Sequence, residues 1–119
     1  MIDLDFIAKL NRFLTDHPGS ITSLTRTDFR NSQIGGAPES AHRFKYGNAV
    51  DLVFDSVSDL YHAAAASKSF GFTGIELDLT NFHLHLDTKP RVWMVVHRGP
   101  HQEEPLEQWL NIHLPTRLT

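Results

Sequence analysis

Two short alternating segments, separated by two turn-forming residues, constrain the fold of this chain more than any other feature. The segments are GIELDL (74–79) and FHLHLD (82–87), with Thr80-Asn81 between them. Side chains on a strand point alternately to opposite faces, so the pattern predicts a β-hairpin with one apolar and one polar face. We expect the apolar side chains of the second segment, beginning with Phe82, to face the core, and His83, His85 and Asp87 to share the opposite face.

A turn at Thr80-Asn81 would also fix the register of this hairpin. Asp78 would then lie opposite His83 and Glu76 opposite His85, with both acids on the histidine face. The Cβ atoms of opposed residues are about 5 Å apart. A slip by one residue would move the acids to the other face. The predicted register therefore gathers imidazoles and carboxylates into one patch, although alternation of this kind is also typical of any half-exposed strand.

The other periodic segments predict helices packed beside a small antiparallel sheet. Spacing, capping residues and alanine content predict three helices, at residues 3–16, 56–71 and 105–114. β-Branched and apolar runs predict three further strands, at residues 20–25, 49–54 and 91–96. Residues 27–48 are expected to form a long ordered loop, and HQEEP (101–105) a solvated loop. Helices segregated from an antiparallel sheet define an α+β fold, here a single domain over residues 1–119.

Composition excludes several classes of function. A net charge of −3 gives no basic surface for nucleic acid. The absence of cysteine excludes disulfides and cysteine-based zinc sites. No stretch approaches the ~20 apolar residues of a membrane span, and MIDLDFIAKL at the start lacks the basic region of a signal peptide. We expect a chain made in the cytoplasm that needs another route to any target outside it.

A second group of ligand-type residues lies upstream, in SAHRFKYGNAVDL (40–52). His42 falls in a loop, and Asp51 lies inside an otherwise apolar strand, where an unpaired acid is costly. Asp51 could face solvent or pair with a lysine or arginine instead. Two histidines and one carboxylate also match the three protein ligands of a catalytic zinc ion, which keeps a fourth position open. Nitrogen and oxygen ligands favour zinc over copper(I).

These motifs resemble those of the zinc D-Ala-D-Ala peptidases of the M15 family, which share the hedgehog/DD-peptidase fold. The similarity extends over about residues 20–95 in the family's order and is greatest to its small, phage-like branch. It is carried by the segments ITSLTR, GGAPESAH, SFGFTGIEL and FHLHLDTKPRVW. The resemblance implies a metallopeptidase that degrades the bacterial cell wall in the manner of an endolysin.

The resemblance also implies roles for individual residues near the metal. It makes His42, Asp51 and His85 the ligands of one zinc ion. It puts His83, the first histidine of the HxH motif, beside that ion, as a proton donor or as a hydrogen-bond donor to the oxyanion of the reaction.

Substrate contacts follow from the same resemblance. Arg26 matches an arginine that binds the substrate carboxylate, a task suited to the bidentate guanidinium group. Ser40 matches the motif serine, as a contact to substrate or to the metal ligands. The implied substrate is a peptidoglycan stem or cross-link peptide, cleaved as in a D-Ala-D-Ala carboxypeptidase or an L-Ala-D-Glu endopeptidase. Other virion or lysis proteins are the expected partners.

Two departures from the family pattern affect these expectations. Four residues separate His42 from Gly47, where the common pattern has two. A loop can absorb this insertion without moving Asp51, although the width of the cleft could change. In addition, Phe82 stands where many relatives carry a catalytic acid three residues before the last histidine.

The general base must therefore come from elsewhere. Glu76 is the first choice, because the predicted register puts it opposite His85. Asp78 and His83 are the alternatives. The missing acid also keeps two other functions open: a zinc-containing binding module of the same fold without catalysis, and a structural virion component with a vestigial site.

Overall fold

A computed structural model describes residues 3–24 and 49–114 of the chain. The predicted contributions of Arg26, Ser40 and His42 fall outside these residues. The described part contains three helices, six strands and one short 3₁₀ turn at residues 68–70. In chain order the helices and strands are α1 (Leu4–Asp16), β1 (Ser20–Leu24), β2 (Ala49–Val53), α2 (Val57–Ser67), β3 (Gly74–Asp78), β4 (His83–Asp87), β5 (Trp93–Gly99), β6 (Gln102–Pro105) and α3 (Leu106–His113). None of these helices is long and apolar enough to cross a membrane.

The six strands form one sheet in the order β1-β2-β4-β3-β5-β6. All neighbouring strands are antiparallel except β3 and β5, which run parallel. The predicted α+β class is confirmed, while the sheet is mixed rather than wholly antiparallel. The difference arises because β5 reverses direction after β4 but joins the sheet on the far side of β3.

Side-chain caps define the beginnings of the first two helices. The carboxylate of Asp3 accepts a hydrogen bond from the backbone N–H of Asp5, and the hydroxyl of Ser56 accepts one from the backbone N–H of Asp59. These bonds satisfy N–H groups that have no partner within the helix. After α2 and the 3₁₀ turn, the chain leaves the helical path at Gly71, whose φ of 96° favours glycine.

The hydrophobic core lies on one face of the sheet. Alternate strand residues on this face are buried and contact buried residues of all three helices. The strand residues are Val50, Leu52, Ile75, Leu77, Leu84, Leu86 and Val96, and the helical residues include Phe6, Leu10, Phe13, Leu60, Leu106, Trp109 and Leu110. The opposite face carries Asp51, Glu76 and His85 and is called the polar face below.

The hairpin turn differs from the sequence prediction in length but not in register. Residues 79–82 form a four-residue turn, because Asp78 accepts hydrogen bonds from Thr80 and Asn81 that bend the chain before Phe82. Phe82 has a φ of 56° and is 49% exposed, so its predicted place in the core was wrong. A two-residue and a four-residue turn leave the same residues opposed, so the register survives.

The segment HQEEP (101–105), predicted to be a solvated loop, was also assigned wrongly. Gln102–Pro105 forms β6, which pairs with β5 at the edge of the sheet. An edge strand has only one neighbour and leaves much of its surface in water, so three consecutive polar residues do not prevent it from forming. Its sequence therefore lacks the apolar alternation that predicts a strand.

Candidate active site

Three side chains form a row across the polar face, one from each of three adjacent strands. His85 on β4 lies opposite Asp51 on β2, and on its other side lies opposite Glu76 on β3. Asp78 and His83 form the next pair toward the turn. The predicted register is thus confirmed, and the sheet brings together the described residues that the sequence singled out.

His85 makes a hydrogen bond from each nitrogen of its ring. Nδ1 lies 3.0 Å from Oδ1 of Asp51, and Nε2 lies 2.7 Å from Oδ2 of Asp87. Burial by itself would lower the pKa of His85, but the bonds to the two carboxylates outweigh it and raise the pKa to about 9. Without a metal the imidazolium form is favoured, with both N–H groups donating.

Asp87 links His85 to Arg91 through its carboxylate. Its side chain is fully buried, and Arg91 donates one hydrogen bond to each carboxylate oxygen, at 2.7 and 2.8 Å. The backbone N–H of Lys89 donates a third, at 3.1 Å. Burial raises the pKa of Asp87, but hydrogen bonds from His85 and Arg91 hold it well below its usual range. The carboxylate therefore stays ionised, with its oxygens fully engaged.

A glycine makes room for this buried carboxylate. Gly74 lies opposite Asp87 in the β3–β4 ladder, and a Cβ atom on Gly74 would overlap the Asp87 carboxylate. Arg91 in turn lies over the ring of Trp93, with its Cζ atom 5.3 Å from the ring centroid. Gly74 thus leaves the space that the Asp87 carboxylate occupies, and Arg91 binds that carboxylate.

Asp87, Arg91 and Gly74 support the site in ways that were not predicted from the sequence. Period-two alternation predicted Asp87 on the same face as His85, and the structure confirms that position, but alternation did not predict the hydrogen bond that Asp87 accepts from His85. Arg91 follows four residues later, beyond the end of β4, and strand periodicity does not reach it. Gly74 is found only once the β3–β4 register is known.

Glu76 differs from the other carboxylates of the row because it is left without a hydrogen-bond donor among the described residues. It is half-buried, and burial raises its pKa, an effect that the charge of His85 partly opposes. On the side away from His85, Glu76 approaches His97 and Glu103. Ligand atoms of these three residues all lie within 4.8 Å of one another, a group that could hold a metal ion.

Asp78 serves the turn rather than the row. Its Oδ1 accepts hydrogen bonds from the backbone and hydroxyl of Thr80, at 2.8 and 2.6 Å, and from the backbone of Asn81. Burial would raise its pKa, but these bonds from Thr80 and Asn81 lower it. A carboxylate committed to several donors is a weak proton acceptor, which argues against Asp78 as a general base.

The contact between Asp51 and His85 fits a shared divalent cation. Two ligand atoms bound to one zinc ion at about 2.0–2.1 Å are roughly 3.4 Å apart, and Asp51 Oδ1 lies 3.0 Å from His85 Nδ1. In many metal sites a carboxylate accepts a hydrogen bond from the second nitrogen of a histidine ligand and so fixes its orientation. Asp87 is in this position relative to Nε2 of His85. Two of the three predicted metal ligands therefore have suitable chemistry and spacing, and the third, His42, lies outside the described residues.

The described residues thus form an α+β fold in which the helices cover one face of the sheet and a histidine–carboxylate row lies on the other. The sequence profile of the Peptidase M15 family matches residues 3–87, which is 85 of the 119 residues. The chain belongs to this family, and the family implies a peptidase acting on a peptide substrate. No curated protein matches the chain. No solved structure matches it either.

Proposed function

We propose that this chain is a zinc-dependent peptidase that hydrolyses a peptide bond in bacterial peptidoglycan stem or cross-link peptides. The observation that carries the proposal is the contact of Asp51 with His85, braced from behind by Asp87, in a member of a peptidase family. Such a brace fixes the orientation of a metal-binding imidazole. The zinc ligands in this proposal are His42, Asp51 and His85.

The metal and the protein divide the chemistry between them. When bound, zinc supplies Lewis-acid activation of water and of the scissile carbonyl group. Asp87 accepts the Nε2 proton of His85 in a hydrogen bond and so keeps Nδ1 directed at the metal position. Arg91 neutralises Asp87, which allows that carboxylate to remain buried in its ionised form.

Glu76 is the proposed general base. Its carboxylate takes the proton of the attacking water and delivers it to the nitrogen of the leaving amine as the C–N bond breaks. Two features support this role: it lies opposite His85 in the ladder, and its carboxylate is not engaged by a hydrogen-bond donor in the described residues. Burial raises its pKa, which improves a carboxylate as a base near neutral pH.

The remaining roles concern the substrate. His83, half-buried on the same strand as His85, is proposed to donate a hydrogen bond to the developing oxyanion. Arg26 is proposed to bind the substrate carboxylate and Ser40 to contact the substrate. The proposed scissile bond is the D-Ala-D-Ala or the L-Ala-D-Glu bond. The chain would act on the cell wall after delivery by a lysis system or as part of a virion.

A binding module that keeps zinc but lacks turnover is the second candidate. The observation in its favour is Phe82, whose exposed ring stands in the turn where many relatives carry a catalytic acid. In this alternative Glu76 is an ordinary strand carboxylate. The two candidates agree on the metal and differ only in whether product forms.

Digestion of purified peptidoglycan by the protein with one equivalent of zinc separates the candidates. New peptide termini, identified by mass spectrometry, would support the peptidase. Bound zinc without product at any pH from 5 to 9 would support the binding module.

Two substitutions assign the roles. His85→Ala, or Asp51→Asn if that variant does not fold, should lose zinc and turnover together, because each removes a ligand. Glu76→Gln should keep zinc and lose turnover by about 100-fold or more, the usual contribution of a general base. Glu104→Gln is the matched control, because Glu104 follows Glu103 on β6 and faces away from the polar face. Its zinc content and turnover should equal those of the native protein. Zinc content unaffected by both ligand substitutions would remove the proposed site.

A further inference from the structure

A second cluster of ligand-type side chains lies on the polar face, across β3 from Asp51 and His85. It consists of Glu76 on β3, His97 on β5 and Glu103 on β6, with ligand atoms within 4.8 Å of one another. His97 and Glu103 are directly opposed in the β5–β6 ladder. Adjacent strands therefore hold the cluster together, and only Glu76 belongs to both groups.

The ring of His97 gives the second argument for a bound cation. Its Nδ1 atom is buried and has no hydrogen-bond partner among the described residues. The nearest carboxylate oxygen, Oε2 of Glu103, lies 3.8 Å away, which is too far for a hydrogen bond. Buried polar atoms are normally satisfied by protein, water or an ion. A cation between the imidazole and the two carboxylates would satisfy this nitrogen.

The charges of the two glutamates also favour a bound cation. Neither Glu76 nor Glu103 forms an ion pair with a lysine or arginine of the described residues. Arg98, on the neighbouring part of β5, instead binds Glu104, which faces the opposite side of β6. Two carboxylates close together repel each other unless a positive charge lies between them. A divalent cation would provide that charge.

Size and access also fit a metal ion. Atoms that share one zinc ion are roughly 3.4 Å apart, and Nδ1 of His97 lies 3.8 Å from Oε2 of the exposed Glu103 side chain. His97 and Glu103, together with His101, line an open cavity of about 450 Å³ that gives a cation a path from solvent. One imidazole with two carboxylates and no sulfur suits zinc better than magnesium or calcium.

We propose that Glu76, His97 and Glu103 form a second zinc site, weaker than the site at Asp51 and His85. Because Glu76 belongs to this site and is also the proposed general base, a second zinc ion would occupy the base and stop turnover. Binding of the second ion is inferred from the geometry of the cluster and does not depend on the proposed function. Its effect on turnover does depend on the proposed function, in which Glu76 is the general base. Excess zinc is therefore expected to inhibit the enzyme.

Equilibrium dialysis of the native protein against zinc, with metal measured by mass spectrometry, tests the binding. We expect two equivalents, the second at least 10-fold weaker than the first. Glu103→Gln should lose the second equivalent and keep the first, since a neutral amide is a poor zinc ligand. His97→Asn should do the same. Glu104→Gln, on the opposite side of the same strand, is the matched control and should keep both equivalents.

Turnover gives an independent readout. Native protein should lose most of its turnover when the second equivalent binds, whereas Glu103→Gln should keep its own turnover over the same zinc range. Native protein that binds one equivalent only, or a second equivalent that Glu103→Gln leaves unchanged, would overturn the site. If the second ion binds as described but the protein with one equivalent has no turnover, the site stands and the peptidase proposal fails.

Discussion

Gly74 lies directly opposite Asp87 in the β3–β4 ladder, and the space left by its missing side chain is filled by the Asp87 carboxylate. That carboxylate is fully buried and binds both His85 and Arg91. The orientation of the histidine proposed to bind zinc thus depends on a residue that has no side chain of its own.

Gly74→Ala should lower the free energy of unfolding by about 2 kcal/mol, a typical cost of forcing an extra carbon into a filled interior. Alanine otherwise suits a strand better than glycine, so the loss would come from the clash with Asp87. Urea denaturation in the presence of EDTA measures it. In an Asp87→Ala background the clash is absent and the same change should cost much less. Equal costs in both backgrounds would contradict this interpretation.

Arg91→Ala should destabilise the protein by about 3 kcal/mol, because it removes the bidentate cationic partner of the buried Asp87 carboxylate. Arg98→Ala is the matched control: its ion pair with Glu104 is exposed, with Arg98 55% accessible, and should contribute less than about 1 kcal/mol. Urea denaturation of both variants in EDTA provides the comparison. The interpretation fails if the two arginines prove equally important.

Acid should weaken the metal-free protein partly through Asp87. Its pKa is lower in the folded chain than the ordinary value of 3.8, so its stabilising contribution is fully present above that pH and is lost as the pH falls further. An asparagine side chain at this position has no proton to gain over the same range. Asp87 also raises the pKa of His85 above its ordinary 6.5, a contribution that is fully present only below that pH. The difference in unfolding free energy between native protein and Asp87→Asn should therefore be greatest between about pH 4 and pH 6 and shrink below about pH 4. Denaturation series in EDTA from pH 7 to about pH 2.5 measure it. A difference that stays constant would exclude Asp87 as the source.

Asp78→Ala should weaken the hairpin but spare catalysis. The carboxylate accepts hydrogen bonds that close the turn, and removal of such a group costs about 1 kcal/mol. Turnover of the zinc-loaded variant should stay within about twofold of native, since Glu76 is the proposed base. Thr80→Ala, which removes one of the same hydrogen bonds, is the control for turn stability. A loss of turnover of about 100-fold in Asp78→Ala alone would transfer the role of base to Asp78.

The sequence predicted the parts of this protein that depend on local pattern. Alternation in FHLHLD located β4 and its register with β3, and capping residues located α1 and α2. It did not predict that β5 would run beside β3, because a single strand pattern carries no information about which neighbour it joins. It missed β6 because an edge strand with water on one side needs no apolar alternation.

The same distinction between local pattern and tertiary contact applies to the candidate site. Glu76 opposite His85 follows from period-two alternation once the hairpin register is assumed, whereas the family resemblance alone brought Asp51 to His85. The support behind His85 follows from neither, because Arg91 reaches Asp87 from beyond the end of β4 and Gly74 matters only through a steric contact across strands. The role of His97 depends on β6 bringing Glu103 beside it, and β6 was not predicted.

The parallel pairing of β3 with β5 gives the residues that follow Asp87 a part in the folding of the rest of the chain. The family profile ends at Asp87, yet β3 hydrogen-bonds along its far edge to β5, and Leu106, Trp109 and Leu110 close the core. A fragment cut after Asp87 would expose the backbone of its central strand and lose the lid on its apolar interior. We therefore expect the segment that the family profile matches not to fold stably without the residues that follow it.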